Sequence, residues 1–165
     1  MSEVKVNGLA ELQKMLDELP AKIEANVVRG GLRAGAKELQ DEAKRLCPLG
    51  GSDGPLRKGE SPGDLRDSVR ISMRSRRGRV TATIKAGNKK AFYAHMVDFG
   101  TARHLIKPKN RKSLFFAGLA KELIDHPGAK KKPFMRPAID GKAETAIETM
   151  AEYIRNRIPK VLAKT

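Results

Sequence analysis

The apolar residues of this chain change their spacing twice, and this change constrains the fold more than any other feature. From about residue 21 to 46, and again from Ala138 to about Ala163, apolar residues recur every three or four positions, which is the period of an amphipathic helix. Between these stretches, the segments 69–74 and 79–86 alternate apolar with polar residues, as half-buried strands do. Helices at both ends with strands between them predict an α+β fold.

The two alternating segments predict a β-hairpin. "VRISMR" (69–74) and "RVTATIKA" (79–86) are joined by "SRRG", which supplies a glycine turn, so one face is expected to be buried and the other basic. The segment "AFYAHMVDF" (91–99) predicts a third strand. The predicted architecture therefore packs the N-terminal helices and the C-terminal helix on a small antiparallel sheet.

Two adjacent glycines interrupt the long N-terminal helix. Gly30 and Gly31 each cost roughly 1 kcal/mol of helix stability relative to alanine. Either the helix kinks there or another helix or subunit approaches closely, and we favour close packing. Upstream of this helix, "VKVNG" (4–8) predicts a short strand or arm, and leucines at 9, 12, 16 and 19 predict a short helix.

Loop-forming residues separate the predicted elements. A length of 165 residues fits one domain with one core. Glycine and proline density predicts a flexible loop at about 50–64, and "GDLRDSV" predicts a turn into the first hairpin strand. Beyond residue 101 we expect a long basic arm at about 103–136, with a short helix or strand at 113–123 and extended backbone at 126–138, where three prolines disfavour a helix. Pro159 is expected to kink or end the C-terminal helix.

The positive charge is concentrated in the middle of the chain. Residues 47–136 carry 21 basic and seven acidic side chains, a balance of +14 out of the total of +15. Such an excess indicates a nucleic acid, an anionic membrane or an acidic protein surface as partner. No apolar run approaches the ~20 residues of a membrane helix, and the first residues have neither the basic start nor the apolar run of a signal peptide. We expect a soluble protein without a membrane partner.

The sequence offers little for catalysis or for metal binding. Cys47 is the single cysteine, which excludes an intramolecular disulfide or a thiolate cluster and fits a reducing cytoplasm. Asp98 is the one carboxylate in the basic region that lies at the end of a predicted strand, and we expect it to cap the turn before Gly100. The sequence contains three histidines, His95, His104 and His126, and their spacing is not that of metal ligands. We predict no catalytic site, no metal and no cofactor, and therefore no enzyme.

Three basic clusters are the candidate contacts for DNA or for an acidic partner. No aromatic residue is interleaved with them and no recognition helix is apparent, so any nucleic-acid contact should be electrostatic and blind to sequence. The clusters lie on the hairpin tip and on the arm: Arg74, Arg76, Arg77, Arg79, Lys107, Lys109, Arg111, Lys112, Lys130, Lys131 and Lys132.

Several motifs occur in an order that is similar to the order found in one known family. They are "VNGLAELQKMLDELP", "AKRLCP", "GDLRDSV", "YAHMVDFGT", "HLIKPKNRKSLFF" and "HPGAKKKPFMRPAI", of which "FGT" and "PFMRPA" are the most specific. Over about residues 4–160 the chain resembles the gp-ten-like tail-component family of lambdoid siphophages, which are neck or tail-completion proteins.

The resemblance implies an α+β subunit that forms a ring at the head–tail junction, around the channel through which the genome passes. It implies no catalytic residues. Its expected partners are further copies of the chain, other head–tail connector and tail proteins, and genomic DNA in the channel. Its expected location is the neck or tail of the virion, after assembly in the host cytoplasm. The candidate assembly contacts are Tyr93, Phe99, Gly100, Phe134 and Met135.

Two alternatives stay open at this point. Phe134 has no apolar neighbour in sequence except Met135, and it either fills the core of its own subunit or anchors the arm at a subunit contact. A free, non-specific nucleic-acid-binding protein is the alternative function. A nuclease would require acidic metal ligands that the sequence does not assemble.

Overall fold

The computed structural model describes residues 10–11, 13–14, 21–50, 61–76, 79–108, 114–116 and 119–163. Residues 10–11 and 13–14 are helical, in agreement with the predicted short helix, and the predicted strand at 4–8 lies outside the described residues. The other described elements follow in this order: α1 (Ala21–Leu46), α2 (Asp64–Asp67), β1 (Arg70–Arg76), β2 (Arg79–Lys85), α3 (Ala94–Phe99), β3 (His104–Ile106), β4 (Leu114–Phe116), β5 (Leu119–Lys121), β6 (Ile124–His126) and α4 (Met135–Leu162). The predicted α+β fold is confirmed.

The two long helices α1 and α4 pack against each other and form the framework of the fold. Helix α4 begins at Met135, three residues before the predicted start. Pro137 lies in its first turn, where the backbone N–H groups have no intrahelical acceptor and a proline is tolerated. Pro159 does not end α4, because the helix continues to Leu162, with Ile158 buried against α1.

Close packing explains the glycines of α1. A Cβ atom on Gly31 would lie 2.7 Å from Cγ1 of Ile154, and one on Gly35 would overlap the carbonyl oxygen of Ala146. Gly30 faces the ring of Tyr153 in the same way. The prediction of close approach is therefore confirmed, and the approaching helix is α4 of the same chain.

Among the described residues, the core consists of two clusters along the α1–α4 pair. One lies near the C-terminal end of α1, where Phe134 is completely buried among Ala43, Val69 and Ala94. The other lies near the opposite end, where Val27 packs on α4. Alanine is the most frequent residue of the first cluster and β-branched residues predominate in the second, which agrees with an aromatic content of only 4%.

Strands β1 and β2 form the predicted hairpin. They pair antiparallel, with Ile71 opposite Ile84 and Arg76 opposite Arg79. The apolar face is half-buried and both strands contact α1, while the arginines point to the other face. The alternation in the sequence therefore identifies the two faces correctly.

The predicted third strand at 91–99 is wrong, because this segment forms a turn and then helix α3. The side-chain oxygen of Asn88 accepts hydrogen bonds from the backbone N–H groups of Lys90 and Ala91, at 2.9 and 2.8 Å, and turns the chain there. Ala91 and Ala94 are then buried three residues apart, which is a helical spacing. A stretch of nine residues fits both periods, and the burial of these small residues decides between them.

The remaining segments also differ from their predictions in detail. "GDLRDSV" contains the short helix α2 instead of a simple turn. Within the predicted arm, β3 pairs with β6 and β4 pairs with β5, each pair antiparallel, so 113–123 contributes strands. Residues 127–134 lie outside helices, as the prolines predict, but the prediction of extended backbone is wrong for residues 135–138, which form the first turn of α4. None of the described helices combines the length and the apolarity that crossing a membrane requires.

Candidate functional site

A set of hydrogen bonds, which we call the clamp, joins the end of α3 and the residues after it to the start of α4 and the segment before it. Oδ1 of Asp98 accepts hydrogen bonds from the backbone N–H groups of Phe134 and Met135, at 2.9 and 3.3 Å. Thr101 forms a β-bridge with Ala129, with an N–H to carbonyl distance of 3.0 Å. Asp98 therefore caps the N-terminus of α4 instead of the turn before Gly100, because the aromatic side chain of Phe134 provides no cap of its own.

Gly100 is required by the clamp. Its φ of 75° lies in the region that favours glycine, and a Cβ atom there would lie 2.8 Å from the carbonyl oxygen of Ala129 and 2.9 Å from the nitrogen of Lys131. The motif "FGT", one of the most specific parts of the resemblance, therefore has a structural role within the subunit.

The candidate assembly residues differ in how much surface they offer. Phe134 is completely buried in the core of its own chain, which fits the alternative in which it fills that core. Tyr93 and Met135 are half-buried and pack against the same cluster. Phe99 is 78% exposed and is the member of this set that presents a large apolar side chain to the outside.

Phe99 belongs to an apolar face of α3, which we define as Phe92, Met96 and Phe99. Phe92 and Met96 are 50% and 37% exposed. Met96 and Phe99 are three positions apart and lie on one side of the helix, and Phe92 lies in the turn that precedes it. His95 is exposed beside them. Phe92 and Met96 are absent from the predicted assembly contacts because a strand was predicted here, whereas a helical period would have placed Met96 on the same side as Phe99.

The hairpin gathers the predicted arginines on one face. Arg74, Arg76 and Arg79 are exposed and, together with Thr81, line an open depression. The cross-strand register places Arg76 directly opposite Arg79. Arg77 lies outside the described residues.

The basic residues of the arm are described only in part. Lys107 and the three consecutive lysines before Pro133 are exposed, and the backbone N–H of Lys132 donates to the carbonyl of Val97 at 2.8 Å within the clamp. Three further candidates lie outside the described residues: Lys109, Arg111 and Lys112.

Strand pairing brings together two histidines that are far apart in sequence. His104 lies opposite His126 in the β3–β6 pair, with ring centroids 5.0 Å apart. Nδ1 of His126 accepts a hydrogen bond from the backbone of Gly128 at 3.0 Å. Asp125 is hydrogen-bonded to the guanidinium of Arg103, which holds the pKa of the carboxyl below its usual value. Within the described residues, no three potential metal ligands come together.

Cys47 lies in the core cluster near the C-terminal end of α1. Its side chain is 5% exposed, and burial raises the pKa of its thiol to about 11. A thiol that stays protonated at neutral pH is a poor nucleophile. The position of Cys47 is explained by packing.

Comparison with known proteins places the chain in a family. A protein-family model described as "Bacteriophage HK97-gp10, putative tail-component" matches residues 10–100. The chain belongs to this bacteriophage tail-component family. The match covers more than half of the chain but ends at the clamp, so it is shorter than the span of about 4–160 suggested by the motifs. No curated protein and no solved structure matches the chain.

Membership of the family has direct implications. The tail-component family is structural, so the chain is a phage tail protein whose place is the virion. Its partners include other proteins of the phage particle.

Proposed function

We propose that the protein is a ring-forming neck or tail-completion component that joins the tail to the head around the DNA channel. In this proposal the 165 residues form one domain that performs no catalytic step. Copies of the protein assemble in the host cytoplasm. Membership of the tail-component family supports the setting. The apolar face of α3 is the observation that carries the assembly role.

The occupant of this face in the proposal is a second copy of the chain. The net charge of +15 makes two copies of the chain repel each other. The apolar face carries no charged side chain, so copies can approach there without desolvating like charges. Aromatic residues and methionine are also the types that are enriched in the cores of protein interfaces.

The clamp makes Phe99 a suitable anchor for such a contact. Asp98 on one side and Gly100 on the other are both fixed against the segment that leads into α4. A side chain held by a rigid backbone loses less conformational freedom on binding, which increases affinity. Leu105 and Leu123, 56% and 44% exposed near the β3–β6 pair, offer further apolar surface for a neighbouring subunit.

The test replaces Phe99 by glutamate and uses Leu162→Glu as the matched control, because Leu162 is 55% exposed at the far end of α4. Sedimentation of the wild type should show an oligomer that grows with concentration. Phe99→Glu should melt at the wild-type temperature, stay monomeric and fail to restore infectivity to a phage that lacks the gene. Leu162→Glu should behave as the wild type in all three measurements.

Two results would contradict the proposal. One is a Phe99→Glu protein that still assembles and restores infectivity. The other is a wild-type protein that stays monomeric alone but binds a purified tail or head protein through α3, which would assign this face to a different partner.

The alternative function, a free non-specific nucleic-acid-binding protein, is favoured by one specific observation. The arginines that line the hairpin depression are exposed and lie on a single face. A free binder would bind duplex DNA as a monomer or dimer, and the protein would be missing from purified particles. Mass spectrometry of purified virions therefore separates the two functions.

A further inference from the structure

The outer face of the β1–β2 hairpin is a continuous surface of cations and hydroxyl groups. Its cross-strand pairs are Arg70 with Lys85, Ser72 with Thr83, Arg74 with Thr81 and Arg76 with Arg79. Five of these eight side chains are positively charged, and none is acidic or apolar. We name this surface the cationic ribbon.

We propose that the cationic ribbon binds the phosphate backbone of duplex DNA without reading its sequence. This inference rests on the proposed function, which identifies the DNA as the genome in the channel. It deepens that function by naming the surface that contacts the DNA. The geometry supports it in four respects, which are the freedom of the guanidinium groups, the fixed base of the ribbon, its dimensions and the absence of apolar surface.

The guanidinium groups at the hairpin tip are free to take a ligand. Among the described residues, Arg74, Arg76 and Arg79 have no carboxylate partner. Some other described arginines do pair with a nearby carboxylate: Arg45 with Glu42, Arg66 with Asp67, Arg103 with Asp125 and Arg136 with Asp140. A phosphate therefore displaces no existing ion pair when it binds the ribbon tip.

The base of the ribbon is fixed in place. Nη1 of Arg70 donates hydrogen bonds to the backbone carbonyls of Ser68 and Gly87, which lie on either side of the hairpin. The hydroxyl of Ser68 also accepts a hydrogen bond from the N–H of Gly87 at 2.8 Å. A ribbon that is held at its base presents its tip arginines in a defined direction.

The dimensions of the ribbon fit a polyphosphate. Residues two apart on one strand face are separated by about 6.6 Å, and a strand of this length extends for roughly 20 Å. Each strand of a duplex carries a phosphate about every 3.4 Å along the axis, so the ribbon spans roughly six phosphates of one strand. Guanidinium and hydroxyl groups, such as those of Arg74 and Thr81, are typical donors to phosphate oxygens.

The composition of the ribbon favours duplex DNA over the other candidates. Protein interfaces have cores that are depleted in charge and enriched in apolar and aromatic residues, whereas interfaces with DNA are polar and strongly positive. Binding of single strands depends on aromatic side chains on which bases stack. The ribbon has neither feature, so a duplex backbone is the partner that its chemistry fits best.

The test compares two triple variants that each remove three positive charges. The ribbon variant replaces Arg74, Arg76 and Arg79 by glutamine. The control replaces three exposed cations of α4 that also lack a carboxylate partner among the described residues: Arg155, Arg157 and Lys160. Binding to a fluorescent duplex of arbitrary sequence is measured by anisotropy over a range of salt concentrations, and both variants are first shown to melt like the wild type.

For the ribbon variant, we expect the slope of log affinity against log salt to become shallower by about 0.9 for each phosphate contact that is lost. The α4 variant should keep the wild-type slope. Replacing the same three ribbon arginines by lysine should largely restore the slope, because the charge returns.

Three results would overturn the inference. The first is an unchanged slope in the ribbon variant, and the second is an equal loss in both variants, which would indicate total charge instead of the ribbon. The third is binding of polyglutamate as tightly as the duplex at the same salt, which would point to an acidic protein partner. Failure of the proposed function is a separate result, because it would appear as wild-type DNA binding without ring formation or infectivity.

Discussion

Replacing Gly35 by alanine provides the sharpest test of the α1–α4 framework. Gly35 is buried, and its added methyl group would overlap the carbonyl oxygen of Ala146 and lie 3.4 Å from Cβ of Met150. A carbonyl oxygen belongs to the backbone of α4 and cannot rotate away as a side chain can. The two helices must therefore separate locally, and the contacts on both sides of Gly35 are weakened.

Two opposing effects determine how much Gly35→Ala changes the free energy of unfolding. Alanine is favoured over glycine within a helix by about 1 kcal/mol. Inserting a methyl group into a well-packed contact costs about 1–3 kcal/mol, and a backbone neighbour places the cost near the upper end of that range. We therefore expect Gly35→Ala to lower the free energy of unfolding by about 2 kcal/mol, which for a chain of this length corresponds to a fall in melting temperature of roughly 4–8 °C.

Gly141→Ala is the matched control, because a Cβ atom on Gly141, which is also helical, meets nothing within 4 Å. This variant should gain up to about 1 kcal/mol from helix propensity alone. Urea unfolding followed by far-ultraviolet circular dichroism measures both free energies. If Gly35→Ala were as stable as Gly141→Ala, the close approach of the two helices would be refuted.

Three further predictions concern the core and the clamp. Phe134→Ala should lower the free energy of unfolding by about 3–5 kcal/mol in urea titrations, whereas Phe134→Leu should lose much less, and equal losses would contradict its place in the core. Asp98→Ala should lose about 0.5–2 kcal/mol through the missing cap of α4, and Asp98→Asn, which keeps an acceptor, should retain most of that stability. Because burial raises the pKa of Cys47 from 9.0 to about 11, its contribution to stability should be complete below pH 9 and should fall as the pH rises towards 11. Cys47→Ala should lack this part of the decline, and identical pH profiles would show that the thiol does not titrate as described.

The parts of the fold that could be predicted from the sequence are those in which apolar residues recur with a single period over a whole element. Helices α1 and α4 each exceed 25 residues, so their apolar stripes are unambiguous. The hairpin was predicted in nearly its observed bounds because both strands alternate strictly and a glycine lies between them. The glycine pair in α1 predicted a close contact, but only the structure identifies Ile154 and Tyr153 as the residues that lie there.

The parts that the sequence did not predict depend on contacts between distant segments. Helix α3 is short, and its period becomes clear only from the burial of Ala91 and Ala94 against the core. The role of Asp98 depends on the backbone of Phe134, which is 36 residues away in sequence. The basic face of the hairpin was predicted from local alternation, whereas the apolar face of α3 required the helix to be assigned first.

The clamp has a consequence for how such a protein can diversify. Because Thr101 and Ala129 are bridged, the chain leaves the framework and returns to it at one place, and residues 102–128 form an insertion between two neighbouring points. Doubling the length of a flexible insertion with fixed ends costs only about 0.6 kcal/mol in closure entropy. We therefore expect changes in the length of the unpaired parts of this insertion to be tolerated, as long as Asp98, Gly100 and the start of α4 continue to hold its ends.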